Sequence, residues 1–223
     1  VLETRGVRKE FFRQGRQQAR NFDAVASTDL SLHAGELTVL MGRSGSGKST
    51  LLNMLSGLLT PTQGTVELEG VSLYGLDDAA LSRLRNERFG TIPQGQTCIH
   101  SLTTIQNVTL PHDLYHAGES CESRAFDLLE QLGIAELSES YPSQLSGGEL
   151  RRMAIARALI CKPQVVFADE PTSDLDDENT QVVLDTLRRT ADGGAAVLMV
   201  THEQSAAPIA DRLLRLDAGR LVS

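Results

Sequence analysis

Gly42-Arg43-Ser44-Gly45-Ser46-Gly47-Lys48-Ser49-Thr50 follows the apolar run Leu37, Val39, Leu40, Met41 and precedes an apolar-periodic stretch that begins at Leu51. This order predicts a strand, a glycine loop and a helix start. Residues 42–49 match G-x-x-x-x-G-K-[ST] in full, with Gly42, Gly47, Lys48 and Ser49 at the defining places. Glycines let the backbone wrap a phosphate so that successive N–H groups point inward, and the positive end of the following helix dipole favours the same anion. In such a loop the lysine reaches the β- and γ-phosphates and the next hydroxyl ligates Mg²⁺, which makes Lys48 and Ser49 candidates for those tasks. A glycine-rich turn that binds nothing has no need of a strand before it and a helix after it. Residues 42–50 are therefore expected to cradle a nucleotide triphosphate within an α/β protein.

The rest of the chain limits what surrounds this loop. Its 223 residues suffice for a well-buried core, as one large domain or a core with an attached subdomain. With 40% apolar and 22% charged residues, long disordered regions are not expected. A formal charge of −8 argues against binding nucleic acid through a general basic field. The longest purely apolar stretch, Ala195 to Val200, is far shorter than the roughly 20 residues of a membrane-spanning helix. No basic-then-apolar leader opens the sequence, so secretion is not expected, and the missing initiator Met points to trimmed termini. Cys98, Cys121 and Cys161 are odd in number and unpaired in spacing, and are read as inert thiols of a reducing compartment. His112 and His116 stand one helical turn apart without a third ligand placed by sequence, and are expected on an exposed helix face.

Along the chain, the first forty residues alternate short apolar runs with turn residues, as an antiparallel sheet does. The helix begun at Lys48 is expected to continue to Leu59 and stop at Thr60-Pro61. Thr65 to Leu68 and Val71 to Leu73 flank Glu69-Gly70 as a hairpin that joins the N-terminal sheet. A charged helix over Asp77 to Arg88 leads into a short strand, Phe89 to Ile92. From Thr103 to Ile160 the pattern is helical: Ile105 to Tyr115, Arg124 to Leu132 and Gly147 to Ile160. Strand character returns at Val165 to Ala168 and Val197 to Val200 around a helix from Asn179 to Arg189, a parallel strand-helix-strand unit. A last strand pair surrounds Asp217-Ala218-Gly219.

Two further constellations carry chemistry. Gln164 to Ala168 is an apolar run that ends in Asp169 and Glu170, which puts both acids at the C-terminal edge of a strand, where parallel α/β sheets bind ligands. One carboxylate there can hold Mg²⁺ and its neighbour can orient or deprotonate an attacking water, so Asp169 is assigned to the metal and Glu170 to the water. Leu145-Ser146-Gly147-Gly148-Glu149 opens the helix to Ile160. It reads both as a Ser146–Glu149 capping box, worth about 1 kcal/mol, and as a pair of glycines whose N–H groups can hold an anion.

With that segment the chain resembles the ATP-binding cassette (ABC) ATPases, whose signature Leu-Ser-Gly-Gly-Gln/Glu it matches with Glu149 in the last place. The resemblance covers nearly the whole chain, with the motifs in the family's order. It implies a P-loop (RecA-like) core with a mainly parallel sheet, an N-terminal antiparallel β subdomain and an inserted α-helical subdomain. The corresponding division is a single ABC ATPase domain, with residues 1–94 and 160–223 as β subdomain and core and 95–159 as helical signature subdomain. By the same resemblance Gln94 contacts Mg²⁺ and the attacking water, Thr172-Ser173-Asp174-Leu175-Asp176 passes signals across a dimer, and His202 contacts the γ-phosphate. Phe12 or Phe11 matches the aromatic that stacks on adenine, and Phe12 is favoured because Arg13-Gln14-Gly15 follow it. ATP and Mg²⁺ are the implied cofactors. Two copies would bind ATP head to tail, Gly42 to Thr50 of one facing Ser146 to Glu149 of the other.

Asp78 to Gln94 and Asn107-Val108-Thr109-Leu110-Pro111 look like the branch of lipoprotein-releasing, macrolide-exporting and cell-division ATPases. This implies a membrane permease partner, a peripheral place on the cytoplasmic face of the membrane, and an exporter or extractor that relays motion. The alternatives are a cassette that signals through a membrane partner to cell-wall enzymes, and a soluble ABC ATPase that acts on nucleic acid or ribosomes. The acidic charge and single cassette weaken the last.

Overall fold

The computed structural model of the chain describes residues 1–14, 19–95, 97–116, 118–173 and 175–222. Its described strands form two sheets. In the first, β1 (Leu2–Gln14) pairs antiparallel with both β2 (Ala19–Thr28) and β5 (Gln63–Leu68), while the short β3 (Ser31–Leu32) pairs antiparallel with the start of β1 and β6 (Val71–Ser72) with the end of β5. The expected hairpin thus joins the N-terminal sheet. Glu69 and Gly70 form its turn at φ of 51° and 83°, the left-handed pair that matches strand twist in a two-residue hairpin.

The second sheet has the order β11-β10-β4-β9-β8-β7. Five of its strands, β4 (Leu37–Met41), β7 (Phe89–Ile92), β8 (Val165–Asp169), β9 (Ala196–Thr201) and β10 (Arg212–Asp217), run parallel, and β11 (Arg220–Val222) closes the edge antiparallel to β10. Every residue of β8 and β9 is buried, as strands covered on both faces must be. Successive residues point to opposite faces of a strand. Leu40, Phe167 and Leu198 accordingly pack with helix α1 (Lys48–Leu55) and the first sheet, whereas Val39, Val166 and Val197 pack toward α6 (Asp177–Asp192) and the helical region.

Helix boundaries follow local chemistry. Asp77 caps α2 (Asp78–Arg88) by accepting the Ala80 N–H at 2.8 Å, and Thr103 with Gln106 forms a capping box on α3 (Thr104–Asp113). α1 stops at Leu55, four residues before the expected Leu59. Gly57 sits at φ 72°, and the N–H groups of Leu58 and Leu59 both turn back to the Asn53 carbonyl at 2.9 Å, so the last leucines wrap the helix end. Between β7 and β8 no strand occurs among the described residues. There α5 (Gly147–Leu159) packs against α3, α4 (Glu122–Gln131) and β7.

Candidate functional site

β4 ends at Met41 and α1 begins at Lys48, so residues 42–47 turn at the C-terminal edge of the parallel sheet. The turn is tight at both of its defining glycines. A Cβ on Gly42 would lie 2.4 Å from the Leu216 carbonyl oxygen, and one on Gly47, at φ 103°, 2.2 Å from that of Ala24. Only a residue without a side chain fits either place. Gly47 caps α1 without any side-chain hydrogen bond, which leaves first-turn N–H groups for a ligand. The Lys48 side chain is buried and curls back, donating from Nζ to the carbonyls of Gly42 at 2.8 Å and Arg43 at 3.2 Å.

The same ammonium lies 3.8 Å from Glu170 Oε1. Asp169 and Glu170 leave the end of β8 together, both buried. Burial raises the Asp169 pKa, opposed by a hydrogen bond from the Ser49 hydroxyl and by the charge of Lys48. Asp169 Oδ1 and Ser46 Oγ are buried without a hydrogen-bond partner. Such atoms are costly unless something completes them, and the Asp169 carboxylate beside the Ser49 hydroxyl is a donor set suited to a hard cation such as Mg²⁺. Glu170 adopts φ 48°, a strained conformation for a glutamate, fixed by its N–H to the Val200 carbonyl at 2.8 Å. Its two carboxylate oxygens each lie 3.0 Å from His202 Nδ1. That hydrogen bond, and then the carboxylate's charge, raise the His202 pKa.

These groups face a cleft of about 500 Å³ lined by Ser44, Gly45, Gly47, Lys48, Ser49, Thr50, Gln94, Glu170 and His202, with Phe11, Phe22 and Asp23 across from the loop. Gly42 and Arg43 line an adjoining hollow that also touches His202. The favoured aromatic, Phe12, is not in the cleft. It is 66% exposed, and the neighbour it was weighed against, Phe11, faces the cleft instead. Phe11 stands directly opposite Phe22 across the β1–β2 ladder, the two rings 6.1 Å apart, and alternation along β1 turns Phe12 away. Gly15, which guided that choice, lies outside the described residues.

The signature segment stands apart from this cleft. Ser146 Oγ accepts the Glu149 N–H at 3.3 Å and the Glu149 carboxylate accepts the Ser146 N–H at 2.6 Å, the expected capping box, which also lowers the Glu149 pKa. Ser146, Gly147, Gly148 and Glu149 do not line the cleft of their own chain. In the Thr172–Asp176 loop Asp174 lies outside the described residues, and Asp176 caps α6 by accepting the Asn179 N–H at 2.8 Å.

One group was not anticipated. Arg151 of α5 is buried, and its guanidinium donates to the carbonyls of Pro93 at 2.7 Å and Gln94 at 2.6 Å, tying the signature helix to the segment that carries Gln94. An arginine two places after the signature was the only signal. The His112–His116 pair is also corrected: the rings stack at 4.6 Å and both residues are half-buried, because the start of α4 folds over that side of α3.

Strand, uncapped glycine loop and buried lysine, with two carboxylates at the end of β8, across β9 from the loop strand, define a nucleotide-triphosphate-binding protein of the P-loop class. Comparison with known proteins narrows this. Residues 25–173 match the family described as ABC transporter. The chain is 42% identical over 200 residues to the lipoprotein-releasing system ATP-binding protein LolD of Pseudomonas syringae, covering 89% of this chain and 88% of that one. It is also 42% identical to the macrolide export ATP-binding/permease protein MacB of Salmonella typhimurium over 86% of this chain, which spans only 30% of that longer protein. Among solved structures, the dimeric ATP-binding cassette MJ0796 in a post-hydrolysis state bound to ADP and Pi superposes with a TM-score of 0.90 at 31% identity, covering 100% of this chain and 98% of that one. The chain belongs to the ABC transporter family, as an ATP-binding and ATP-hydrolysing cassette of the lipoprotein-releasing and macrolide-exporter branch.

Proposed function

We propose that two copies of this cassette close head to tail over two ATP molecules and drive a membrane permease at the cytoplasmic face. The observation that carries this reading is the split in the chain's own groups. The phosphate loop, Glu170 and His202 share one cleft, with Asp169 held to its Ser49, while the Ser146–Glu149 helix start lies outside it. A second chain would supply the missing wall, as the dimeric solved cassettes suggest. Residues 1–94 and 160–223 then act as the nucleotide-holding part and 95–159 as the part that presents the signature.

In this reading Lys48 and the N–H groups of residues 43–49 hold the phosphates, and Phe11 backed by Phe22 receives the adenine. Ser49, Asp169 and Gln94 would hold Mg²⁺, which when bound offsets charge on the phosphate oxygens. Glu170 positions and deprotonates the attacking water. His202, held 3.0 Å from Glu170, is placed to sense the γ-phosphate and to relay its loss to that carboxylate. The γ-phosphate gives the closed pair its extra affinity, since a ligand shifts a conformational equilibrium only by its difference in affinity for the two states. No described helix is long and apolar enough to cross a membrane, so the permease would be a separate chain or a further segment. The names of the relatives point to extraction or export as the work done.

Glu170→Gln tests the core of this reading. Phosphate release should fall by roughly 10²–10⁴-fold, the usual worth of a positioned general base. ATP should still bind, and light scattering should find an ATP-dependent dimer. Wild-type turnover in that variant would remove Glu170 from the chemistry, and a persistent monomer would remove the head-to-tail pair.

A further inference from the structure

Far from the nucleotide cleft, the turn between α3 and α4 brings together three groups of different chemistry. His112 Nδ1, a carboxylate oxygen of Asp113 and Sγ of Cys121 all lie within 4.8 Å of one another. His112 Nδ1 is buried and makes no hydrogen bond. It is 3.5 Å from Asp113 Oδ1, within ion-pair range but without hydrogen-bond geometry. His116 stacks on the His112 ring and holds its own Nδ1 3.1 Å from the His112 carbonyl, which fixes the plane of the ring. Cys121 is buried, whereas the Asp113 side chain is 54% exposed and free to swing.

We propose that His112 Nδ1, the Asp113 carboxylate and Cys121 Sγ bind a divalent ion of the zinc class that clips the end of α3 to the start of α4. The mixed nitrogen, oxygen and sulfur set is the one that zinc takes, with a water in the fourth place. Bond lengths of about 2.0–2.3 Å put tetrahedral donors about 3.3–3.8 Å apart, so atoms within 4.8 Å of one another need to close by at most about 1.5 Å. The exposed Asp113 carboxylate has room to take part in that closure. One thiolate and one carboxylate neutralise the dication, and the imidazole adds no charge. The ion takes the place of the sulfur's proton on binding. None of the three residues lines the nucleotide cleft, so the ion is separate from the Mg²⁺ of catalysis.

The test uses the full chain without nucleotide, titrated with Co²⁺ and then Zn²⁺. Wild type should take up one equivalent of Co²⁺ with a sulfur-to-cobalt charge-transfer band that Zn²⁺ removes. Cys121→Ser should lack the band, and His112→Asn should bind at least the ~10–100-fold more weakly that even outer-shell changes cost. Cys161→Ser should keep it. So should Cys98→Ser, although Cys98 Sγ lies 3.9 Å from the His100 ring nitrogens. No band in wild type, or a band that survives Cys121→Ser, overturns the proposal. If Cys121→Ser fails to fold by circular dichroism, His112→Asn decides, and wild-type affinity in that variant overturns it.

Discussion

Two helices in this chain open on glycines, and they treat their first N–H groups in opposite ways. α1 starts at Gly47, at φ 103° and with no side-chain cap. α5 starts at Ser146, whose hydroxyl and the returning Glu149 carboxylate satisfy two backbone donors within the chain. An uncapped helix start is costly alone and gains most from an anion, which suits a cradle that must grip phosphate in each cassette. The capped start keeps its shape with nothing bound. It can therefore wait, ready-made, for the nucleotide held by another copy.

The contrast can be broken by mutation, and the largest effect is expected at the uncapped end. Lys48→Ala removes the ammonium from the phosphates, at least two charge-assisted contacts of about 1.5–3 kcal/mol each. ATP affinity measured by calorimetry should drop by over ~100-fold, and unchanged affinity would end the idea that α1 is the gripping helix. A smaller loss should follow Phe11→Ala, about 1–3 kcal/mol for a lost base-stacking face, while Phe12→Ala leaves nucleotide affinity unaltered. Equal effects at the two positions would return the choice between them to open. Smallest is Ser146→Ala, which should cost the fold about 1 kcal/mol in chemical denaturation. It should leave ATP affinity of the monomer alone yet weaken the ATP-driven dimer. A drop in monomer affinity instead would put α5 at the same cleft as α1.

What the sequence made legible was local. The phosphate loop, the capping box and the acid pair after a buried strand are each set within about nine consecutive residues, where spacing and chemistry decide the geometry. Facing was harder to read. β1 carries irregular register at Val7, Lys9 and Glu10, so counting alternation from its start cannot say whether Phe11 or Phe12 meets the nucleotide. The early end of α1 depends on Gly57 at φ 72°, hidden among leucines that continue the helical pattern. Arg151 reaches carbonyls 58 and 57 residues away, and the His112–Cys121 approach needs the α3–α4 turn. Contacts of that length follow from packing, which no short motif encodes.

The aromatic hairpin and the phosphate loop are also joined through the backbone. Ala26 N–H donates to the Gly219 carbonyl at 2.8 Å and Gly219 N–H to that of Ser46 at 2.9 Å, while the Ala24 carbonyl is pressed against Gly47. The turn between β10 and β11 is thus a spacer of fixed length between the Phe11 ring and the loop. With both ends pinned, the separation between the Phe11 ring and the loop is set by the backbone.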